Sequence, residues 1–115
     1  MNAYDLVLHV DKVDKSMNIA FTNAVNYAKA LGGKTFNMVL VVNSGAVTLL
    51  KAENLEIKEA FEEAVAHGLE VRVCQNALNS NKMDPKVLFP QCKVIPAGLV
   101  ELVDLQRAGY AYVNP

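Results

Sequence analysis

The sequence predicts an α/β domain built on an open, mostly parallel sheet covered on both faces. Three observations carry this. Short runs of apolar, often β-branched residues look like strands buried on both sides. Between them lie segments whose apolar residues recur every three or four positions. Strand and helix alternate with short connections, which implies right-handed crossovers and parallel pairing.

The first run, Tyr4 to Val10, holds Leu6, Val7, Leu8 and Val10 and gives way to the polar stretch Asp11 to Ser16. From Met17 to Leu31 the residues Phe21, Ala24, Val25, Ala28 and Leu31 are spaced as one helical face, and Gly32-Gly33 supplies the stop. Thr35 to Val42 reads as a second buried strand ending in the turn signal Asn43-Ser44-Gly45, with Leu49 and Leu50 beginning a helical stretch. Leu55 to His67 places Leu55, Phe61, Ala64 and Val65 on one side and a row of Glu and Lys on the other, before Gly68. Leu69 to Cys74 is the third strand and Lys93 to Ile95 a short fourth. Leu99 to Ala108 forms a helix with Leu99, Leu102, Val103 and Gln106 on one side, and Tyr110 to Val113 is the fifth strand.

The chain has 115 residues, 52% hydrophobic and 20% charged, so residues 1–115 are expected to form one domain with one core. A domain of this size needs no metal or disulfide staple. The formal net charge is −1 and the charges are scattered, which argues against nucleic acid or an anionic membrane as a partner. The start Met1-Asn2-Ala3-Tyr4-Asp5 carries no basic leader, and Met38 to Val42 is far too short to cross a bilayer. The expected location is the cytoplasm, where the two cysteines would stay free thiols.

Ligands of open parallel sheets bind beyond the carboxyl ends of the strands. Strand one delivers His9 and Asp11 there, strand two Asn43, Ser44 and Gly45, strand three Cys74, Gln75 and Asn76, and strand four Pro96, Ala97 and Gly98. Cys74 runs directly into the helical turn Gln75-Asn76-Ala77-Leu78, whose free N–H groups would favour a thiolate. The plainer reading makes it a small buried hydrophobe, the usual fate of a free cysteine. Cys92 stands at the other end of the sheet. A strand of five or six residues separates the two rims by about 17–20 Å, so a Cys74–Cys92 bridge is not expected. His9 is either a base or hydrogen-bond partner for the thiol, or a half-buried structural residue. His67 precedes Gly68 at a helix end, where capping suffices to explain it. Asn23, Tyr110 and Tyr112 complete the candidates, each with a bland reading as cap, core or surface. The histidines and cysteines form no zinc-ligand spacing, and no phosphate loop or dinucleotide glycine pattern occurs, so no metal or cofactor is expected.

Taken together, His9-Val10-Asp11, Asn23, the run Val71 to Leu78, the run Ile95 to Leu102 and the tail Leu105 to Pro115 with its Gly-Tyr-Ala-Tyr resemble the DsrE/DsrF-like family. The short chain and its Cys-Gln-Asn-Ala-Leu segment place the likeness with the generic small branch. The resemblance implies a three-layer α/β/α, flavodoxin-like fold of the YchN type and assembly of identical chains into trimers or hexamers. In the sulfur-oxidation and transfer-RNA thiolation branches it also implies a cysteine that carries sulfur as a persulfide, at the position of Cys74. A sulfur donor or acceptor protein would then be a partner. The competing expectation is a non-catalytic oligomeric module of the same fold, binding a small ligand or serving assembly. A flavin or nucleotide site has only the fold behind it, and fold does not fix function.

Overall fold

A computed structural model describes residues 2–115. Strands β1 (Leu6–Val10), β2 (Met38–Val42), β3 (Leu69–Cys74), β4 (Lys93–Ile95) and β5 (Ala111–Val113) form one sheet in the order β4-β3-β2-β1-β5. Every pairing is parallel, with Leu6 opposite Met38 and Ala111, Met38 opposite Leu69, and Cys74 opposite Ile95. Helices α1 (Ser16–Leu31), α2 (Leu55–Ala66), α3 (Gln75–Ser80) and α4 (Gly98–Arg107) connect them, with 3-10 turns at Ser44–Leu50 and Pro85–Val87.

The winding explains the layers. The first three crossovers step the same way across the sheet, so right-handedness puts α1, α2 and α3 on one face. Here Leu8, Leu40 and Val71 of the sheet join Phe21, Phe61, Ala77 and Leu78 in the larger core. Phe61 stacks on Phe89 with ring centroids 4.5 Å apart and meets Phe21 edge to face at 5.8 Å. The crossover from β4 to β5 runs back across the sheet and carries α4 to the opposite face. There Val7, Val39 and Val41 pack against Leu102 and Leu105 in a smaller core. The result is the three-layer α/β/α arrangement.

Several expected boundaries and faces move. The sheet is wholly rather than mostly parallel. Strand β2 begins at Met38 rather than Thr35, because the Asn37 N–H is taken by the Asp5 carboxylate at 2.7 Å instead of the ladder. Strands β1 and β5 likewise begin later, at Leu6 and Ala111. Leu49 and Leu50 end a 3-10 turn rather than opening a helix. Leu55, the first residue of α2, is 73% exposed, and the buried side of that helix is Ile57, Phe61 and Ala64. On α4 the buried side is Gly98, Leu102 and Leu105, which leaves Leu99, Val100 and Val103 facing outward. Between α2 and β3 the chain reverses at Gly68 with φ of +103°, a conformation that side chains rarely adopt.

Candidate functional site

The connection after β3 goes to one face of the sheet and the connection after β4 goes to the other. Between these two strands the sheet therefore has its topological switch point, where open α/β sheets leave a crevice at their carboxyl edge. A cavity of about 440 Å³ opens there. The end of β2 contributes Asn43, Ser44 and Gly45, the start of α3 contributes Cys74, Asn76 and Ala77, the end of α3 Ser80 and Asn81, and the start of α4 Ala97, Gly98 and Leu99.

Cys74 is the last residue of β3 and the N-cap of α3. Only 6% of the residue is exposed, and its Sγ accepts a hydrogen bond from the Ala77 N–H at 3.4 Å. The sulfur thus takes the place that a serine or aspartate oxygen holds in an ordinary helix cap. Across from it, Gly98 lets α4 approach. A Cβ on Gly98 would lie 3.1 Å from Asn43 Cβ and 3.3 Å from Cys74 Cβ, closer than ordinary packing allows. The start of α4 is held down by Arg72, two residues before Cys74, whose guanidinium donates to Glu101 Oε2 at 2.6 Å and to Glu70 Oε2 at 2.8 Å.

On the other wall Ser44 has φ of +52°, uncommon for a residue with a side chain. Its carbonyl accepts a hydrogen bond from Asn81 Nδ2 at 3.3 Å, and the same amide donates to the Ala77 carbonyl at 2.8 Å. Asn81 thereby ties α3 to the loop after β2. No side chain lining the cavity carries a formal charge; the polar groups are amides and hydroxyls. Among the described residues no three His, Cys, Asp or Glu side chains converge as a metal site.

Cys74, Asn43, Ser44, Gly45, Asn76 and Gly98 are brought together at this cavity. His9, Asp11, Asn23 and Gln75 do not line it. His9 lies one residue short of the end of β1 and sits underneath, 2.9 Å from Asn43 Oδ1. Asp11 follows β1, which β2 separates from β3. Asn23 is on the exposed side of α1, in a separate depression with Lys15, Asn18, Ile19 and Thr22. Gln75 turns along α3 to donate to Asn79 Oδ1 at 2.9 Å. Ala97, named at the end of strand four, lines the cavity while Pro96 does not, and sequence reasoning missed Ala77, Ser80, Asn81 and Leu99 on the wall. Placing them needs the strand order, which sets the direction of each crossover and hence the switch point.

Cys92 is half-buried in the loop before β4, and burial pushes its thiol up to about 12. It packs at the margin of the larger core.

The fold and site define a class: a doubly covered parallel α/β domain with a free thiol at its switch point. The model of the DsrE/DsrF-like family matches residues 3–115, and the chain belongs to that family. Among solved structures it is similar to MTH1491, a protein of unknown function from Methanobacterium thermoautotrophicum, with a TM-score of 0.88 and 26% identity over 97% of this chain and 99% of the other. It shares the fold of the ychN protein from E. coli, with a TM-score of 0.78 and 17% identity over 97% and 99% of the two chains. The same holds for BT1422, a conserved protein of unknown function from Bacteroides thetaiotaomicron, with a TM-score of 0.76 and 14% identity over 96% and 94%. No curated protein matches the chain. No helix among the described residues is long and apolar enough to cross a membrane.

Proposed function

We propose that the protein is a cytoplasmic sulfur carrier in which Cys74 takes up a sulfane sulfur as a persulfide and passes it to an acceptor thiol. The observation that carries this reading is the placement of the Cys74 thiol on the wall of an open cavity at the switch point, in a chain of the DsrE/DsrF-like family. In loading, the Cys74 thiolate attacks the outer sulfur of a donor persulfide. The new bond joins Sγ to that sulfur, the donor's S–S bond breaks, and the proton of the transferred sulfur goes to the departing thiolate. Unloading is the same exchange on an acceptor thiolate, so neither step needs an oxidant or an organic cofactor.

Incubation with a low-molecular-weight persulfide should add one sulfur atom at Cys74, read by intact and peptide mass. The Cys74→Ser variant should keep its fold and gain none. An unmodified wild-type chain would overturn the reading.

The carrier would work as a homo-oligomer, a trimer or hexamer, exchanging sulfur with a donor or acceptor protein. The exposed Leu99, Val100 and Val103 of α4 support burial of this helix against another copy. Light scattering at micromolar concentration tests it, and a monomer mass would refute it.

One observation favours a second reading. With the Cys74 residue 6% exposed, the cavity could serve as a small-ligand pocket of a non-catalytic module in which the thiol is only wall. Ligand binding that survives Cys74→Ser, together with an inert thiol, would select it.

A further inference from the structure

His9 makes two hydrogen bonds that sulfur exchange at Cys74 does not by itself require. The residue is only 9% exposed and lies on the α4 side of β1. Its Nε2 is 2.9 Å from Asn43 Oδ1 and its Nδ1 is 2.6 Å from the Tyr112 hydroxyl. Asn114 Nδ2 donates to that hydroxyl at 3.4 Å, so the phenol oxygen already accepts one hydrogen bond and its own hydrogen is free for Nδ1. With Nδ1 accepting, the proton of a neutral imidazole sits on Nε2 and is donated to Asn43 Oδ1. Donors then point one way along the whole chain, from Asn114 through Tyr112 and His9 to Asn43.

This direction decides which end of the Asn43 amide meets the cavity. Oδ1 is held by His9, and Nδ2 is left outside the chain of bonds. Nδ2 lies 3.5 Å from the point where a Cβ on Gly98 would stand, and Cys74 Cβ lies 3.3 Å from the same point. Asn43 Nδ2 and Cys74 Cβ thus lie close to one point beside Gly98, and both residues line the same cavity.

We propose that His9 is a positioning residue. Held as the Nε2-protonated tautomer by Tyr112, it fixes Asn43 with its N–H side toward Cys74, where the amide donates to the outer sulfur of a Cys74 persulfide. This rests on the carrier reading of Cys74. A persulfide is more acidic than the thiol that delivers it, so after the S–S exchange the negative charge resides on the outer sulfur and the proton on the departing thiol. A fixed amide donor favours that product; an amide free to turn would present its oxygen to the anion for part of the time.

The test measures persulfide loading from a low-molecular-weight persulfide and, separately, alkylation of unloaded Cys74, which has no outer sulfur. His9→Ala and Asn43→Ala should each slow loading about tenfold, the effect of one hydrogen bond to a charged group, with alkylation changed less than about twofold. The double variant should load no slower than Asn43→Ala alone, because His9 acts only through Asn43. Tyr112→Phe should have a smaller effect of the same kind, about threefold, since it removes the hydrogen bond that selects the tautomer. Nitrogen-15 NMR of the wild-type protein, which has two histidines, should show His9 protonated at Nε2.

An Nδ1-protonated His9, wild-type loading in His9→Ala, or additive effects in the double variant would overturn the proposal. The NMR result decides it even if His9→Ala does not fold. Wild-type protein that takes up no sulfur would remove the carrier reading and this proposal together, whereas normal loading in the variants would remove this proposal alone.

Discussion

The two cysteines occupy opposite ends of the same part of the sheet, and the more buried one is the chemical candidate. Cys74 closes β3 and Cys92 precedes β4, the neighbouring strand. Only 6% of Cys74 is exposed, yet it borders an open cavity and its sulfur caps a helix. Cys92 shows more surface but faces the core margin, where desolvation pushes its thiol up to about 12. Exposure of a residue is thus a poor guide to a thiol's chemistry. What separates the two is the contact each sulfur makes: Cys74 accepts the Ala77 N–H at the edge of an open cavity, whereas Cys92 is desolvated at the core margin.

The largest expected effect follows from that contrast. Three pH units above its ordinary value of 9.0, the Cys92 thiol has a thiolate fraction near neutral pH lowered by about 10³. Alkylation at pH 7.5 should therefore label Cys74 long before Cys92 in the folded protein, and the two should react alike in denaturant. Equal rates in the folded state, followed by peptide mass spectrometry, would break the comparison.

Gly98→Ala should sharpen it from the other side. The added methyl would press on Asn43 and Cys74 together and must displace the start of α4. Overpacking of this kind costs about 1–2 kcal/mol in chemical denaturation. It should also slow persulfide loading at Cys74 several-fold, while leaving Cys92 untouched. Loading at the wild-type rate would mean that the close approach of α4 is irrelevant to the sulfur.

The smallest effect concerns Cys92→Ala, which should leave loading at Cys74 unchanged and cost about 1 kcal/mol at pH 7 through lost packing. Its signature is in the pH dependence. A folded thiol raised to about 12 binds its proton more tightly than the unfolded chain does. That contribution is complete below the ordinary thiol value and is lost as pH rises from there through about 12. Cys92→Ala should flatten the alkaline fall of stability in urea midpoints. A remainder would persist from Tyr27 and Tyr110, whose hydroxyls are raised chiefly by burial. An identical alkaline limb in wild type and variant would contradict the burial of this thiol.

Much of the fold was legible because its central strands β1 and β2 are almost wholly apolar and its crossovers short. Strands β3 and β4 appear where the pattern of Leu69 to Cys74 and Lys93 to Ile95 places them. The helix faces were less legible. Periodicity groups Leu99 with Leu102 and Val103 as readily as it groups Gly98 with Leu102 and Leu105. The deciding fact is the contact of Gly98 with Asn43 and Cys74, which a sequence pattern cannot express. The cavity was half legible: residues at strand ends could be named, but Ser80 and Asn81 arrive from the far end of α3. Tyr112 could be named as a candidate, whereas its bond to His9 depends on β5 lying beside β1.

The absence of formal charge on the side chains that line the cavity has a kinetic consequence. A site lined by lysine or arginine draws anionic partners in from a distance, and salt weakens the pull. Amides and hydroxyls act only at contact. Encounter with Cys74 should then be governed by concentration and fit rather than by long-range attraction, and the pocket should discriminate among small thiols by shape with little regard to ionic strength.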